Sequence, residues 1–419
     1  MSVLSNPANQ NSENYLPNEK PAILRMAEEL YNKNNIQKRM VLEDVPIIGY
    51  GSMEKRDPTD YTVPGCLGNI LSYIDAREKI MKANTNNKLV ILSESDILSD
   101  VDIIGFGQPT AVTIDNKILD NANQMLMNVT GVSYGTLWAD DFDDMVSELT
   151  KVNDIEVMVN RSLRYYGRDY ILFTHNKKLS EEQKKAIVVS INRGHPVMIG
   201  FACGVPEYSI ITGYDDYGDT LIGWVYCNGG LKRITENGMF ILDTDADNKW
   251  DIKLLIIGDK NNDKLSDKEI VEYAMEVMER KISQHTSYKT FTAGITALEK
   301  FRTAMADTEN GLYENPKHQF FLHLMILNIA EPRAFTGIFI NKMKEKYAEN
   351  KAASACLDVI DKLNFDESNY ARAMWGVKDD KTMSAAENRK RWCELLDKCI
   401  SGEKTLLEKF NELTEYLNI

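Results

Sequence analysis

Three apolar runs follow one another near the middle of the chain: Val197–Cys203, Tyr208–Tyr214 and Thr220–Cys227. Each has the length of a strand and is rich in β-branched or aromatic residues. Asp215-Asp216-Tyr217-Gly218-Asp219 joins the last two, and such a turn-forming pentad predicts a hairpin. Both alternating side-chain sets of these runs are apolar, which predicts the middle of a sheet covered on both faces. Just upstream, Ser180 and Gln183 stand at the spacing of a capping box, so a helix is predicted from there. Gly194 suits the position just past that helix, and Pro196 follows it.

Elsewhere the pattern is less regular. Residues 1–20 are polar and predict a loose arm. Ala22–Asn34 has the spacing of an amphipathic helix, and Val45–Tyr50 that of a strand or an extended segment. Pro64-Gly65 breaks the chain, after which Leu67, Ile70, Leu71 and Ile74 recur at helical spacing. Residues 75–120 are mixed and predict no firm element. Asn121–Val129 and Met145–Val152 read as helical, with Asp140, Asp141, Asp143 and Asp144 as the acidic first turn of the second. Ser162–Tyr170 predicts a helix that leaves at Gly167 into a strand, Tyr170–Thr174. Phe240–Leu242 and Leu254–Ile257 predict further strands. Past the polar stretch Asp259–Lys264, helical periodicity dominates over 266–283, 291–306, 316–349, 351–364 and 385–418. Ser266 and Glu269 form a second capping box. Breaks are expected at Gly311, Pro316, Pro332 and Gly402, with Pro332 kinking or splitting the third run. The fold class is therefore α+β: an arm over 1–20, a domain with an antiparallel sheet over 21–262, and an all-α helical domain over 263–419.

Composition narrows the function classes. The 419 residues carry a formal net charge of −14. That balance argues against a nucleic-acid binder and against docking on anionic lipid. No run of about 18 apolar residues occurs, and the first residues lack the basic-then-apolar order of a signal peptide. A cytoplasmic location is expected. Cys66, Cys203, Cys227, Cys356, Cys393 and Cys399 are dispersed with no C-x-x-C, so neither a zinc cluster nor a disulfide framework is indicated. His318 and His323 do not share a helix face. Asp243-Thr244-Asp245-Ala246-Asp247-Asn248 starts like a calcium loop. It has Asn248 at the sixth position and Leu254 at the twelfth, where such a loop needs Gly and Glu, so a solvated turn is expected. No phosphate-binding glycine motif is present. No cofactor and no metal are expected.

One residue offers chemistry. Cys66 sits at or near the first turn of the helix after Pro64-Gly65, where the helix dipole and unpaired N–H groups favour thiolate. Cysteine nucleophiles are commonly presented in this way. A cysteine beside an apolar stripe also serves as a small core residue, and both readings stand at this point.

Several segments resemble a family. Gly194-His195-Pro196-Val197, Pro206-Glu207, Ile211-Thr212-Gly213-Tyr214-Asp215 and Gly218–Trp224 are similar to a run found in proteins related to butirosin biosynthesis protein H. Leu126–Tyr134 resembles a second, upstream segment of that group. The group is similar in turn to papain-like cysteine enzymes, including the bacteriocin-processing double-glycine peptidases. The resemblance spans about residues 45–260 and implies a papain-like amino-terminal domain. It also implies cysteine-dependent acyl transfer, or amide or thioester cleavage, on a small molecule or peptide, with a carrier-protein-bound acyl donor as one class of partner. By this resemblance Cys66 is the nucleophile, and Asp60, six residues before it, takes the place of an oxyanion-hole side chain. The histidine of such enzymes opens the strand that ends in T-G-Y-D, and here Glu207 or Tyr208 stands there. His195 and His175 are the nearest histidines in sequence. The alternative implied by this departure is a catalytically degenerate domain that binds a ligand, with the helical domain forming a homo-oligomer.

Overall fold

The structure, a computed structural model, describes residues 21–31, 36–42, 44–46, 62–82, 114, 116–138, 155–202, 207–225, 240–244, 251–280, 283–284, 290–379 and 382–417. The arm over 1–20, the acidic run at 140–144, the segment 145–152 and most of the calcium-like turn lie outside them. The chain forms two compact units, Met1–Asn123 with Tyr166–Lys264, and Gln124–Tyr165 with Leu265–Ile419. It is α+β, with helices throughout and an antiparallel sheet.

The first unit is built on that sheet. Its strands are β1 (Met40–Val41), β3 (Arg168–Asn176), β4 (Val197–Gly200), β5 (Tyr208–Asp215), β6 (Thr220–Val225), β7 (Phe240–Asp243) and β8 (Ile252–Lys260). They lie in the order β3-β8-β4-β5-β6-β7, and β1 also pairs with β5, beyond the short β4. All described pairings are antiparallel. The hairpin is therefore central, as its two apolar faces require, and every side chain from Tyr208 to Tyr214 is buried. Its tip is a single 3₁₀ turn, Asp216–Gly218, with positive φ at all three residues. Asp, Gly and a strained Tyr217 there reverse the chain tightly enough to keep β5 and β6 in register.

Among its described residues this unit also holds helices α1 (Ala22–Tyr31), α2 (Thr62–Lys82) and α5 (Glu181–Asn192), and α2 and α5 both pack on β5. The capping box of Ser180 and Gln183 opens α5. At its other end Gly194 has φ +84, its N–H donates to the Ile191 carbonyl, and the His195 N–H donates to the Ser190 carbonyl. That is a Schellman closure, which needs the left-handed conformation glycine adopts without strain.

Helix α2 departs from expectation. It begins at Thr62 rather than after Pro64-Gly65, and it runs to Lys82 through residues that predicted no element. Proline in a first turn sacrifices no hydrogen bond, because the first four N–H groups of a helix have no partner within it. Val45 and Pro46 belong to no strand, and residues 47–50 lie outside the described set; the pairing segment is Met40–Val41.

The second unit takes in the latter part of α3 (Asn116–Val129), a 3₁₀ turn at Val132–Tyr134, β2 (Leu137–Trp138) and α4 (Ile155–Tyr166). It continues through α6 (Asp267–Glu279), β9 (Ser283–Gln284), β10 (Thr290–Ala293), α7 (Gly294–Ala306), α8 (Pro316–Ala334), α9 (Gly337–Lys346), α10 (Lys351–Asp379) and α11 (Ala385–Tyr416). The expectation of an all-α chain beyond 263 is corrected by β9 and β10, which pair with each other, while β10 also pairs with β2. Thr290, Phe291 and Thr292 are β-formers that helical periodicity does not accommodate. The third helical run divides at Phe335-Thr336, three residues after Pro332. Gly402 does not break α11: it lies within that helix, at a close approach to Glu367 of α10. Trp392 is the hub of the aromatic core, with Phe301 at 6.0 Å and Tyr313 at 5.4 Å, both edge-on.

Candidate functional site

The strand that opens the hairpin and the helix that carries the thiol meet end to end. The Thr62 hydroxyl, in the first turn of α2, donates to Glu207 Oε2 at 2.8 Å. Glu207 immediately precedes β5, and its carbonyl accepts from the Phe201 N–H at 3.0 Å, which extends the β4–β5 ladder to this point. Cys66 is the fifth residue of α2, one turn after Thr62 and on the same helix face. Its side chain is wholly buried. The structure thus brings the Cys66 helix against Glu207, one of the two residues at the strand position where the resemblance expects histidine.

Tyr208, the other one, is the first residue of β5. Successive strand residues point to opposite faces, so it leaves the face that Glu207 shares with Thr62. Its ring lies 5.5 Å from that of Phe201 and covers Gly200, where an added Cβ would come within 2.5 Å of it. Phe201 holds a φ of +63, a conformation that non-glycine residues rarely adopt. Asp60 lies outside the described residues.

The two histidines named from the sequence are elsewhere. His195 Nε2 stands 4.0 Å from Glu78 Oε1. Glu78 is twelve residues along α2 from Cys66, which is about 18 Å at the helical rise. His195 Nδ1 is occupied with the Ile257 carbonyl at 3.2 Å. Burial, reinforced by Arg193 and Arg168, pushes its pKa down to about 4, so the ring is neutral near pH 7. It is a satisfied core histidine. Around it Arg168 is clamped by Asp75 at 2.5 Å and Glu78 at 2.9 Å. Burial raises the Glu78 pKa, but its bond to Arg168 and the nearby cations outweigh that and hold it below the usual range. His175 is in β3, three strands from β5, or about 14 Å across the sheet.

Two participants escaped the sequence. Thr62 was hidden by the Pro-Gly break; the signal was its four-residue spacing to Cys66. Ser209 is two residues beyond Glu207 on β5, and so on its face. Its Oγ is buried and makes no hydrogen bond. A lone serine in a strand of β-branched and aromatic residues was the available sign. The start of α2 thus carries Thr62 and Cys66, and the start of β5 carries Glu207 and Ser209, with Thr62 and Glu207 joined by a hydrogen bond. Hydroxyl, thiol and carboxylate are residue types suited to proton handling and acyl chemistry.

Among the described residues no group of three or more His, Cys, Asp or Glu side chains is placed to hold a metal ion. No described helix is long and apolar enough to cross a membrane. No known family model matches the chain, and no curated protein matches its sequence.

Proposed function

We propose that the amino-terminal unit is a papain-like scaffold for cysteine-dependent acyl transfer, with Cys66 as nucleophile and Glu207 as acid and base. The observation that carries this reading is the 2.8 Å bond from Thr62 to Glu207, which holds a carboxylate against the first turn of the Cys66 helix. In the reaction Glu207 takes the thiol proton, sulfur forms a bond to the acyl carbon, and the donor's leaving group departs with the proton returned by Glu207. The acceptor nucleophile then attacks the acyl–Cys66 and gives its proton to Glu207, the sulfur–acyl bond breaks, and Glu207 returns that proton to the Cys66 thiolate. Proton transfer from an ordinary thiol to an ordinary carboxylate costs about 6 kcal/mol. That cost selects the donor. A thioester exchanges one thiolate for another and needs little acid assistance, whereas an amide nitrogen must be protonated to leave. The substrate class is therefore a small-molecule or peptidyl thioester, including one borne on a carrier protein, in a cytoplasmic setting.

A second reading is favoured by the complete burial of Cys66 and by the distance of His195. In it the unit is a degenerate papain-like domain that binds its ligand without turning it over, and the helical part supports self-association. One experiment separates them. The full-length protein is incubated with an acyl thioester of N-acetylcysteamine and its peptides are mapped by mass spectrometry. Acyl transfer predicts a single adduct on Cys66, absent from Cys66→Ala and formed more slowly in Glu207→Gln. Acylation of other cysteines with Cys66 untouched supports the binding module instead.

A further inference from the structure

The helical unit carries a buried charge imbalance that its packing must resolve. Arg333 of α8, Glu367 of α10 and Glu403 of α11 are 2 %, 1 % and 1 % exposed. Arg333 Nε donates to Glu367 Oε2 at 2.9 Å, and its Nη2 is ion-paired with Glu403 Oε1. The guanidinium also lies 4.8 Å from the centre of the Tyr134 ring. One cation thus faces two carboxyl groups in a place closed to water. Glu367 Oε1, Glu403 Oε2 and the Asn364 carbonyl oxygen are buried and accept no hydrogen bond. The backbone of Gly402 lies against Glu367 Oε1, so the two carboxyl groups come from neighbouring places on facing helices.

A lone ionised carboxylate in such surroundings is too costly to keep, and a carboxyl group there takes up a proton instead. We infer that the Arg333–Glu367–Glu403 cluster is a proton-binding site, in which one proton held by the carboxyl pair locks α8, α10 and α11 together and makes the packing of the helical unit pH-sensitive. The balance of the surroundings on Glu367 is upward. Burial drives the Glu367 carboxyl up, to about 7, against the pull of Arg333, and Asp366 on the same helix adds to the rise. Cys399 of α11 and the Tyr134 hydroxyl are both raised by burial and stay neutral, so neither supplies a charge. Asp361 is paired with Lys344 at 2.9 Å. No second cation among the described side chains enters the cluster. The proton belongs to the pair as a unit rather than to one oxygen.

The sign follows from linkage. A carboxyl whose folded pKa is raised binds its proton in the native state while the unfolded chain has already released it. The stabilisation is complete below the unfolded carboxyl pKa of about 4.3, is lost progressively as pH rises from there, and is gone once pH has passed the folded value of about 7.

The test is urea unfolding of the full-length protein from pH 5.5 to 9, beside Glu403→Gln and Glu367→Gln. Each variant leaves one carboxylate for one guanidinium and has no need of the proton. The ratio of wild-type to Glu403→Gln unfolding constants should rise by up to about tenfold per pH unit from pH 5.5 to about 7 and be level above that. A parallel pair of profiles overturns the inference. Should the variants fail to fold, infrared spectra of wild-type protein labelled with ¹³C-glutamate decide. A protonated-carboxyl band at pH 6 that is lost by pH 9 supports the site, and absence of that band at pH 6 refutes it. Stability that follows added sodium, potassium or calcium but not pH would show a cation in the proton's place and would equally overturn it.

Discussion

Replacing Gly402 by alanine separates helix propensity from packing. In an ordinary helix interior the change stabilises, by about 1 kcal/mol. At position 402 the new Cβ would lie 2.4 Å from Glu367 Oε1 and 3.2 Å from its Cδ and Cγ. Atoms in contact prefer about 3.5 Å or more, so the carboxyl group must retreat by about 1 Å. It is held in place, because Oε2 accepts from Arg333 Nε at 2.9 Å and the side chain is buried. Retreat loosens a charge-assisted bond worth about 1.5–3 kcal/mol, and full rupture of a buried pair costs about 3–5 kcal/mol. Packing therefore wins, and Gly402→Ala should destabilise by about 1–4 kcal/mol net of propensity. Gly376 is the matched control. It lies within α10, exposed, with nothing within 4 Å of an added Cβ. Gly376→Ala should stabilise by about 0.5–1 kcal/mol. Both are read from urea unfolding followed by far-ultraviolet circular dichroism. If the two substitutions stabilise equally, the buried carboxyl is not pinned and the account of the α10–α11 contact is wrong.

Two further outcomes are expected. His195 is buried neutral, with its pKa lowered from 6.5 to about 4, so the unfolded chain binds the proton first as pH falls. It contributes stability above pH 6.5 that is lost progressively towards pH 4, amounting to about 3 kcal/mol. His195→Asn should give a shallower acid limb in unfolding curves, and an unchanged limb would show that the imidazole titrates normally. Thr62→Val removes the donor to Glu207 and should cost about 1–3 kcal/mol, as for a bond to a charged acceptor. A double-mutant cycle with Glu207→Gln should show a coupling above about 0.5 kcal/mol, and strict additivity would mean that the two side chains do not interact.

Local pattern was enough to read much of this chain. The capping boxes at Ser180 and Ser266, the Gly194 closure and the hairpin tip at Asp216–Gly218 each depend on residues a few positions apart, so short-range stereochemistry decides them. The same holds for Cys66 near a helix start. The α2 boundary was missed because proline reads as a break, although in a first turn it costs nothing. Gly402 was missed because a glycine in a helical pattern looks like a terminus unless the partner helix is known.

The sequence by itself determined the apolar periodicities, the turn chemistry and the negative charge, and with them an α+β chain whose hairpin is buried on both faces. Only the tertiary structure decided which distant side chains share a place. It grouped residues 124–165 with the carboxyl-terminal helices, through Arg161 stacked 3.7 Å above Tyr273 and bonded to the Val129 carbonyl at 2.6 Å. It set Glu207 rather than His195 beside the start of the Cys66 helix, and it enclosed Arg333 with two carboxyl groups. The physical reason is common to all three. Hydrogen bonds and ion pairs act over about 3 Å in space, and no periodicity along the chain encodes which residues 30 to 150 positions apart will meet at that range.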